Sequence, residues 1–207
     1  MIELDKPVAS RAFPDVFEVI LRRRSNARTL SVCPNRSEIE QLLIAANAAP
    51  NHHLTQPWRF CVARGEMIER IADAVAEDTF AMLPVGDPAQ AESIRQTARV
   101  KFSRAPVVIV ASVAPVDEHP KSIDWEDFAA TAAAIQNMLL AAEAAGLAAI
   151  WRSNTSQLRH LKALLNLRGE AKVIGFVHIG YPDPSDSAPL KSRRPHTDFV
   201  QWRGWDD

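Results

Sequence analysis

A short apolar run in the middle of the chain constrains the fold more than any other feature. Residues 107–110 read Val-Val-Ile-Val, and no charged residue interrupts the surrounding segment 106–113. A strand with one face in water alternates apolar and polar residues, whereas a strand covered on both faces is apolar throughout. The run therefore predicts a mid-sheet strand with a layer of structure on each face.

Helical and strand patterns alternate on both sides of this run. Apolar residues recur at helical spacing, and short aromatic and β-branched segments between them suit strands. In the absence of an internal repeat, this pattern predicts one mixed α/β domain at 1–207. We expect helices from Asp15 to the arginines at 22–24, from a cap at 34–38 to Pro50, and at 67–80, 126–149 and 155–167, with further strands at 58–63, 148–151 and 173–179.

The alanine-rich helix at 126–149 and the tail at 184–207 both favour contact with a second subunit. The helix has few charges on any face, so it suits a core or a dimer interface, and Gly146 either permits close packing or marks its end. The tail has too little apolar periodicity to fold on itself, so it is expected to form an arm along another surface. An N-terminal extension is expected at 1–12, and the loop at 83–88 is a candidate lid or insertion.

Charge and cysteine content exclude several classes of partner and site. The formal net charge is -1, which gives no electrostatic reason to expect a nucleic acid or an anionic membrane as partner. No apolar run reaches the roughly 18 residues that a membrane helix needs, and residues 1–6 lack the basic and then apolar pattern of a signal peptide. The two cysteines support no disulfide framework. These features predict a reduced, cytoplasmic protein with a small-molecule partner.

Basic residues gather in clusters that are far apart in the sequence. Arg22-Arg23-Arg24-Ser25 follows the first predicted helix, Trp151-Arg152-Ser153 follows a short strand, and Lys191-Ser192-Arg193-Arg194-Pro195 lies in the tail. Arginine offers planar, permanently charged donors, lysine a point charge and serine a hydroxyl, which together suit a phosphate group. Alone, each cluster has a plainer interpretation: cations at a helix C-terminus, a helix end leading into a strand, and a solvated basic patch. Together they can converge on one anionic ligand.

The loop at 51–58 carries two adjacent histidines, His52 and His53. No acidic or cysteine residue stands nearby at ligand spacing, so no metal site is predicted. The plain interpretation is a polar loop with Trp58 anchored in the core. The chain has no Gly-rich nucleotide-binding loop and no Gly-x-Ser-x-Gly elbow, which argues against Rossmann, P-loop and α/β-hydrolase enzymes.

Four motifs resemble the flavin site of the nitroreductase family, FMN-dependent oxidoreductases that work as homodimers. They are Arg23-Arg24-Ser25, Ala49-Pro50-Asn51-His52 with Gln56-Pro57-Trp58, Trp151-Arg152-Ser153, and the tail motif Lys191-Ser192-Arg193-Arg194-Pro195. The chain is most similar to the subgroup with Trp-Arg-Ser at the flavin, although Asn51 departs from the usual Ser or Asp. By this resemblance no side chain acts as acid or base. The residues implied to bind FMN are Arg23, Arg24, Ser25, His52, Trp151, Arg152, Ser153, Lys191 and Arg193.

The resemblance also implies the fold, the assembly and the reaction. The expected fold is a three-layer α/β (α+β) sandwich with a central, mostly antiparallel sheet, in a homodimer whose subunits exchange C-terminal arms. NADH or NADPH is expected to reduce FMN, after which a nitroaromatic, quinone or related acceptor occupies the same place in a ping-pong mechanism. Two alternatives stay open: a flavin-binding module without NAD(P)H turnover, and a family member with specialised flavin chemistry such as dehalogenation or flavin fragmentation.

Overall fold

Within the described residues, four strands form one antiparallel sheet. A computed structural model describes residues 15–83, 87–114, 123–153, 158–168, 170–185 and 192–205. All seven residues of the second strand are buried. The predicted mid-sheet strand and the antiparallel sheet are thus confirmed. In chain order the strands are β1 (Trp58–Arg64), β2 (Val107–Val113), β3 (Ala148–Ser153) and β4 (Lys172–Gly180), and they lie side by side as β1-β2-β4-β3.

Helices cover both faces of this sheet. One core cluster joins α2 and α5 to the face of β2 that carries Val107, Ile109 and Ala111. The other joins α3, α4 and α6 to the opposite face, which carries Val108 and Val110. Two cores separated by a sheet make the three-layer sandwich that the sequence predicts. The helices are α1 (Val16–Arg22), α2 (Arg36–Asn47), α3 (Glu66–Phe80), α4 (Pro88–Phe102), α5 (Asp124–Ala144) and α6 (Arg159–Leu164).

Local sequence signals account for the start of α2. The side chain of Asn35 accepts a hydrogen bond from the Glu38 N–H at 3.0 Å, and the Glu38 carboxylate accepts one from the Asn35 N–H at 2.8 Å. This reciprocal pair satisfies N–H groups that a helix start otherwise leaves open. Ile39, Leu42 and Ala46, which recur at helical spacing, are buried. The predicted helix and its cap are confirmed.

The alanine-rich helix α5 ends earlier than its apolar pattern predicts. It spans Asp124–Ala144 rather than 126–149. Gly146 adopts a φ of 73°, and the N–H of Leu147 donates to the carbonyl of Ala142 at 2.8 Å. This bond across a left-handed glycine is typical of a helix C-terminus. Gly146 therefore marks the end of the helix, as one of its two predicted roles requires, and turns the chain into β3.

Helix α4 was not predicted from the sequence. Its start does carry a recognisable signal, because the side chain of Asp87 accepts a hydrogen bond from the Ala89 N–H at 3.0 Å. Pro88 occupies the N-terminal helix position that proline favours. The loop predicted at 83–88 is therefore wrong at its end, since Pro88 is helical. Residues 84–86 of that predicted lid lie outside the described part of the chain.

Both ends of the chain are described in part. The predicted extension at 1–12 and the first residues of the helix predicted at 155–167 lie outside the described ranges, and α6 begins at Arg159. Residues 192–205 of the predicted arm are exposed throughout, so the second surface expected for it stays a prediction. None of the helices described here has the length and apolarity needed to span a bilayer.

Candidate functional site

The loop that follows α1 lies against the outer edge of β3. The N–H of Asn26 donates to the carbonyl of Ala149 at 3.1 Å. A few residues later, the N–H of Leu30 donates to the carbonyl of Tyr181 at 2.9 Å. These bonds tie the loop to the end of the sheet at two points. They hold the basic residues at 22–24 beside β3.

Arg23 is the centre of a group of cations beside this edge. Burial, followed by the charges of Arg193 and Arg24, lowers the pKa of the Arg23 guanidinium. Within the described ranges the Arg23 guanidinium has no hydrogen-bonding or ion-pair partner, although the charge of Glu143 partly offsets the repulsion. The charge of Arg193 in the tail therefore acts on the Arg23 guanidinium of the first cluster. Lys191 of the same tail motif lies outside the described residues.

Arg24 has a different environment from Arg23. Its Nη1 donates to the carbonyls of Leu21, Arg22 and Arg23 at 2.6, 2.8 and 2.9 Å. These carbonyls belong to the C-terminal end of α1, where a cation is electrostatically favourable. Arg24 therefore closes the helix and adds positive charge behind Arg23. Ser25, next in the chain, is exposed.

Trp151, Arg152 and Ser153 lie at the end of the edge strand β3. This strand pairs with β4 on one side, and the Ala149 carbonyl points to the other side, towards the α1 loop. Since outward-pointing backbone groups alternate along a strand, those of Trp151 face the same free edge. The two large side chains lie on opposite faces of the sheet: Trp151 packs on the core that contains α5, whereas Arg152 lies near buried His178.

Three nitrogens of the predicted site residues are buried without a hydrogen-bonding partner among the described residues. They are Nε of Arg24, Nε1 of Trp151 and Nε of Arg152. A buried donor without a partner costs free energy, so proteins rarely leave one unsatisfied unless a ligand or an ordered water serves it. All three groups are donors and two are cationic. They suit a ligand that is anionic and rich in hydrogen-bond acceptors.

Gly175 of β4 shapes the space around Trp151, and sequence reasoning did not single it out. Its backbone has a φ of 154°, and β4 changes register against β2 at this point, where Ala111 is its partner. A Cβ at Gly175 would collide with the indole nitrogen of Trp151 and the carbonyl of Arg152. Glycine inside a strand often marks such a close approach. A glycine inside the strand predicted at 173–179 was therefore the signal available in the sequence.

The loop that carries His52 is held firmly at the other end of α5. His52 Nδ1 lies 2.8 Å from a carboxylate oxygen of Glu126. Asn51, the departure from the family motif, accepts from the Gln56 N–H at 2.9 Å and so closes the loop. Trp58 is buried and donates from Nε1 to Asn47 at 3.2 Å, which confirms it as the anchor. No group of three metal-ligating side chains occurs in the parts of the chain described here.

Within one chain, His52 does not join the cations around Arg23. Helix α5 has 21 residues, which corresponds to about 30 Å. Glu126, which contacts His52, lies in its first turn, whereas Glu143, whose charge acts on Arg23, lies in its last. His52 and Arg23 therefore lie at opposite ends of one helix.

Comparisons with known proteins agree with this architecture. The sequence profile of the Nitroreductase family matches residues 20–181. YdjA of Escherichia coli strain K12, provisionally named an NAD(P)H nitroreductase, is 29% identical over 189 residues, which are 91% of this chain and 99% of that protein. A nitroreductase-like family protein of Bacillus cereus superposes with a TM-score of 0.78 at 26% identity, covering 95% of this chain and 100% of that one. A provisionally named nitroreductase of Desulfovibrio desulfuricans, solved in complex with FMN, has a TM-score of 0.68 at 24% identity, with coverages of 93% and 98%. The chain belongs to the Nitroreductase family.

Proposed function

We propose that this protein is an FMN-dependent oxidoreductase that uses NAD(P)H to reduce nitroaromatic, quinone or related acceptors by a ping-pong mechanism. The observation that carries the proposal is the environment of the half-buried Arg23 guanidinium. The positive charges of Arg24 and Arg193 act on it, and it has no ion-pair partner in the described ranges. Family membership supports the proposal. So do the names of relatives, which include NAD(P)H nitroreductases and structures with bound FMN.

The residues present fit FMN. A phosphate carries the negative charge that the Arg23 group lacks, and arginine binds phosphate through paired, charge-assisted hydrogen bonds. We assign the phosphate and ribityl chain to Arg23, Ser25 and Arg193, with Arg24 behind them, and extend the prediction to Lys191. We assign the ring system to the segment Trp151, Arg152 and Ser153, in which Trp151 Nε1 and Arg152 Nε are buried without a partner among the described residues. When bound, FMN supplies the redox chemistry, and these residues bind and orient it.

We propose that two copies of this chain complete the site. Helix α1 buries Val19 but exposes Val16, Phe17, Ile20 and Leu21. A contiguous apolar helix face of this kind is typical of a surface that binds another protein. Large aromatic side chains of the arm, at 199–205, are also exposed. His52 lies too far from Arg23 in the same chain to serve the same ligand, so its flavin contact requires the second subunit.

Purified protein should be yellow, with FMN as the released chromophore, and should have twice the 22.9 kDa mass of the chain by light scattering. Anaerobic NADH or NADPH should bleach the flavin absorption, because the family reaction begins with flavin reduction. Bound FMN that is never reduced would instead indicate a flavin-binding module without NAD(P)H turnover. A colourless protein that cannot be reconstituted with FMN would refute the proposal.

Replacing Arg152 by alanine should leave FMN bound but slow its reduction by NAD(P)H about tenfold, equivalent to about 1.4 kcal/mol. The reason is that a guanidinium beside the ring stabilises the negative charge of reduced flavin. Stopped-flow absorbance measures the rate under anaerobic conditions. R152K, which keeps the charge, should recover most of the rate. Complete loss of flavin from R152A would contradict this division between binding and electron transfer.

A further inference from the structure

His178 lies in β4 in an unusual state for a polar side chain. It is 3% exposed, and neither ring nitrogen has a hydrogen-bonding partner among the described residues. Its immediate surroundings are apolar, since Phe102 packs against the ring at 5.4 Å between centroids and Val108 lies opposite on β2. Buried polar groups are normally paired. The remaining charged neighbour of this ring within the sheet is Arg152 of β3.

The sheet register places that neighbour. Ile150 of β3 lies directly opposite His178, and Arg152 lies opposite Phe176. Arg152 is two residues beyond Ile150, so it shares a face with His178 and lies diagonally across the ladder. Diagonal neighbours are about 7 to 8 Å apart at the backbone, within reach of a long side chain. Arg152 Nε, like the imidazole, is buried without a partner in the described ranges.

The hydrogen-bonding capacities of the two side chains match. Burial, and then the charges of Arg152 and Arg104, lower the pKa of His178 to about 4. The imidazole is therefore neutral at physiological pH and has one ring nitrogen that accepts a hydrogen bond. A guanidinium has donors alone. Arg152 thus needs an acceptor on this face, and His178 offers one without adding a second positive charge.

We propose that His178 is a positioning residue for Arg152. Its unprotonated ring nitrogen lies on the same face of the sheet as the Arg152 guanidinium and offers it a hydrogen-bond acceptor. This contact fixes where the guanidinium charge stands relative to the flavin. His178 itself does not touch the ligand. The inference rests on the proposed function, in which the position of the Arg152 charge affects the rate of flavin reduction.

A double-mutant cycle tests the coupling. H178L should slow reduction of bound FMN by NAD(P)H about threefold to fivefold and make the flavin midpoint potential more negative, whereas H178Q, which keeps an acceptor, should restore both. In the R152A background, H178L should have no further effect on either quantity, as expected when one residue acts through the other. Equal effects of H178L in both backgrounds would overturn the proposal and leave His178 as a packing residue.

A measurement on FMN-free protein separates this inference from the proposed function. Nitrogen-15 NMR of the His178 ring should show a higher pKa in R152A than in wild type, because one of the two neighbouring positive charges is lost. The other, Arg104, remains. The ring of His160, whose Nδ1 lies 2.8 Å from Asp78, provides an internal chemical-shift reference. If H178L does not fold, H178Q and this titration still decide the question. An unchanged His178 titration in R152A would refute the coupling, whether or not the protein binds FMN.

Discussion

Arg23→Ala should weaken FMN binding about a hundredfold. The guanidinium is half-buried, has no ion-pair partner in the described ranges, and lies among like charges that lower its pKa. A phosphate would relieve that repulsion and accept charge-assisted hydrogen bonds, each worth about 1.5 to 3 kcal/mol. Loss of about 2.7 kcal/mol corresponds to a factor of a hundred in the dissociation constant. The dissociation constant is measured from the quenching of FMN fluorescence on titration with FMN-free protein.

The adjacent Arg22 provides a matched control. It is exposed and forms an ion pair with Glu18 at 2.9 Å and another with Glu143 at 3.7 Å. Exposed ion pairs contribute little, so R22A should change FMN affinity less than about fivefold. Equal losses in R22A and R23A would show that only the general positive field attracts FMN. Such a result would contradict a phosphate contact with Arg23.

Gly175→Ala should destabilise the protein by about 2 to 4 kcal/mol, with a fall in Tm of roughly 4 to 15 °C. The added Cβ collides with the Trp151 indole and the Arg152 carbonyl, and the φ of 154° suits glycine. Both neighbours belong to the proposed ring-binding segment. FMN affinity should therefore fall sharply as well. Circular dichroism on heating and fluorescence titration measure the two effects.

Gly146→Ala separates backbone strain from disruption of the site. Gly146 has a φ of 73°, yet a Cβ there would meet no other atom within 4 Å. The substitution should cost about 1 kcal/mol of stability and leave FMN affinity unchanged, because the added Cβ contacts none of the proposed site residues. If G175A bound FMN as tightly as wild type, the assigned role of Trp151 in ring binding would be wrong.

Elements with strong local signals were predicted from the sequence. The start of α2 is an example, since Asn35 and Glu38 satisfy the helix N-terminus within four residues of chain. Strand β2 is another, because a wholly apolar segment of this length suits a strand covered on both faces. In both cases the information lies in neighbouring residues. No distant contact is needed to interpret it.

Helix α4 shows why other elements were missed. Ala98 and Phe102 are its buried residues, so its apolar pattern is weak. Much of its contact with α3 is ionic: Arg99 binds Asp73 through two hydrogen bonds of 2.7 and 2.8 Å, and Arg95 approaches Glu77 at 2.6 Å. Such pairs join residues far apart in sequence. Their stabilisation is invisible to a search for periodicity.

The sequence by itself determined the residue types of the candidate site and the local elements that carry them, including the arginines after α1 and the Trp-Arg-Ser segment. Only the tertiary structure decided which of these residues meet. In the folded chain the charge of Arg193 in the tail acts on Arg23. His52 lies at the opposite end of α5 from Arg23. Gly175 lies directly against the indole of Trp151. The reason is physical. Propensity and periodicity act over a few residues, whereas the meeting of charges depends on how helices and strands pack, which no short stretch of sequence specifies.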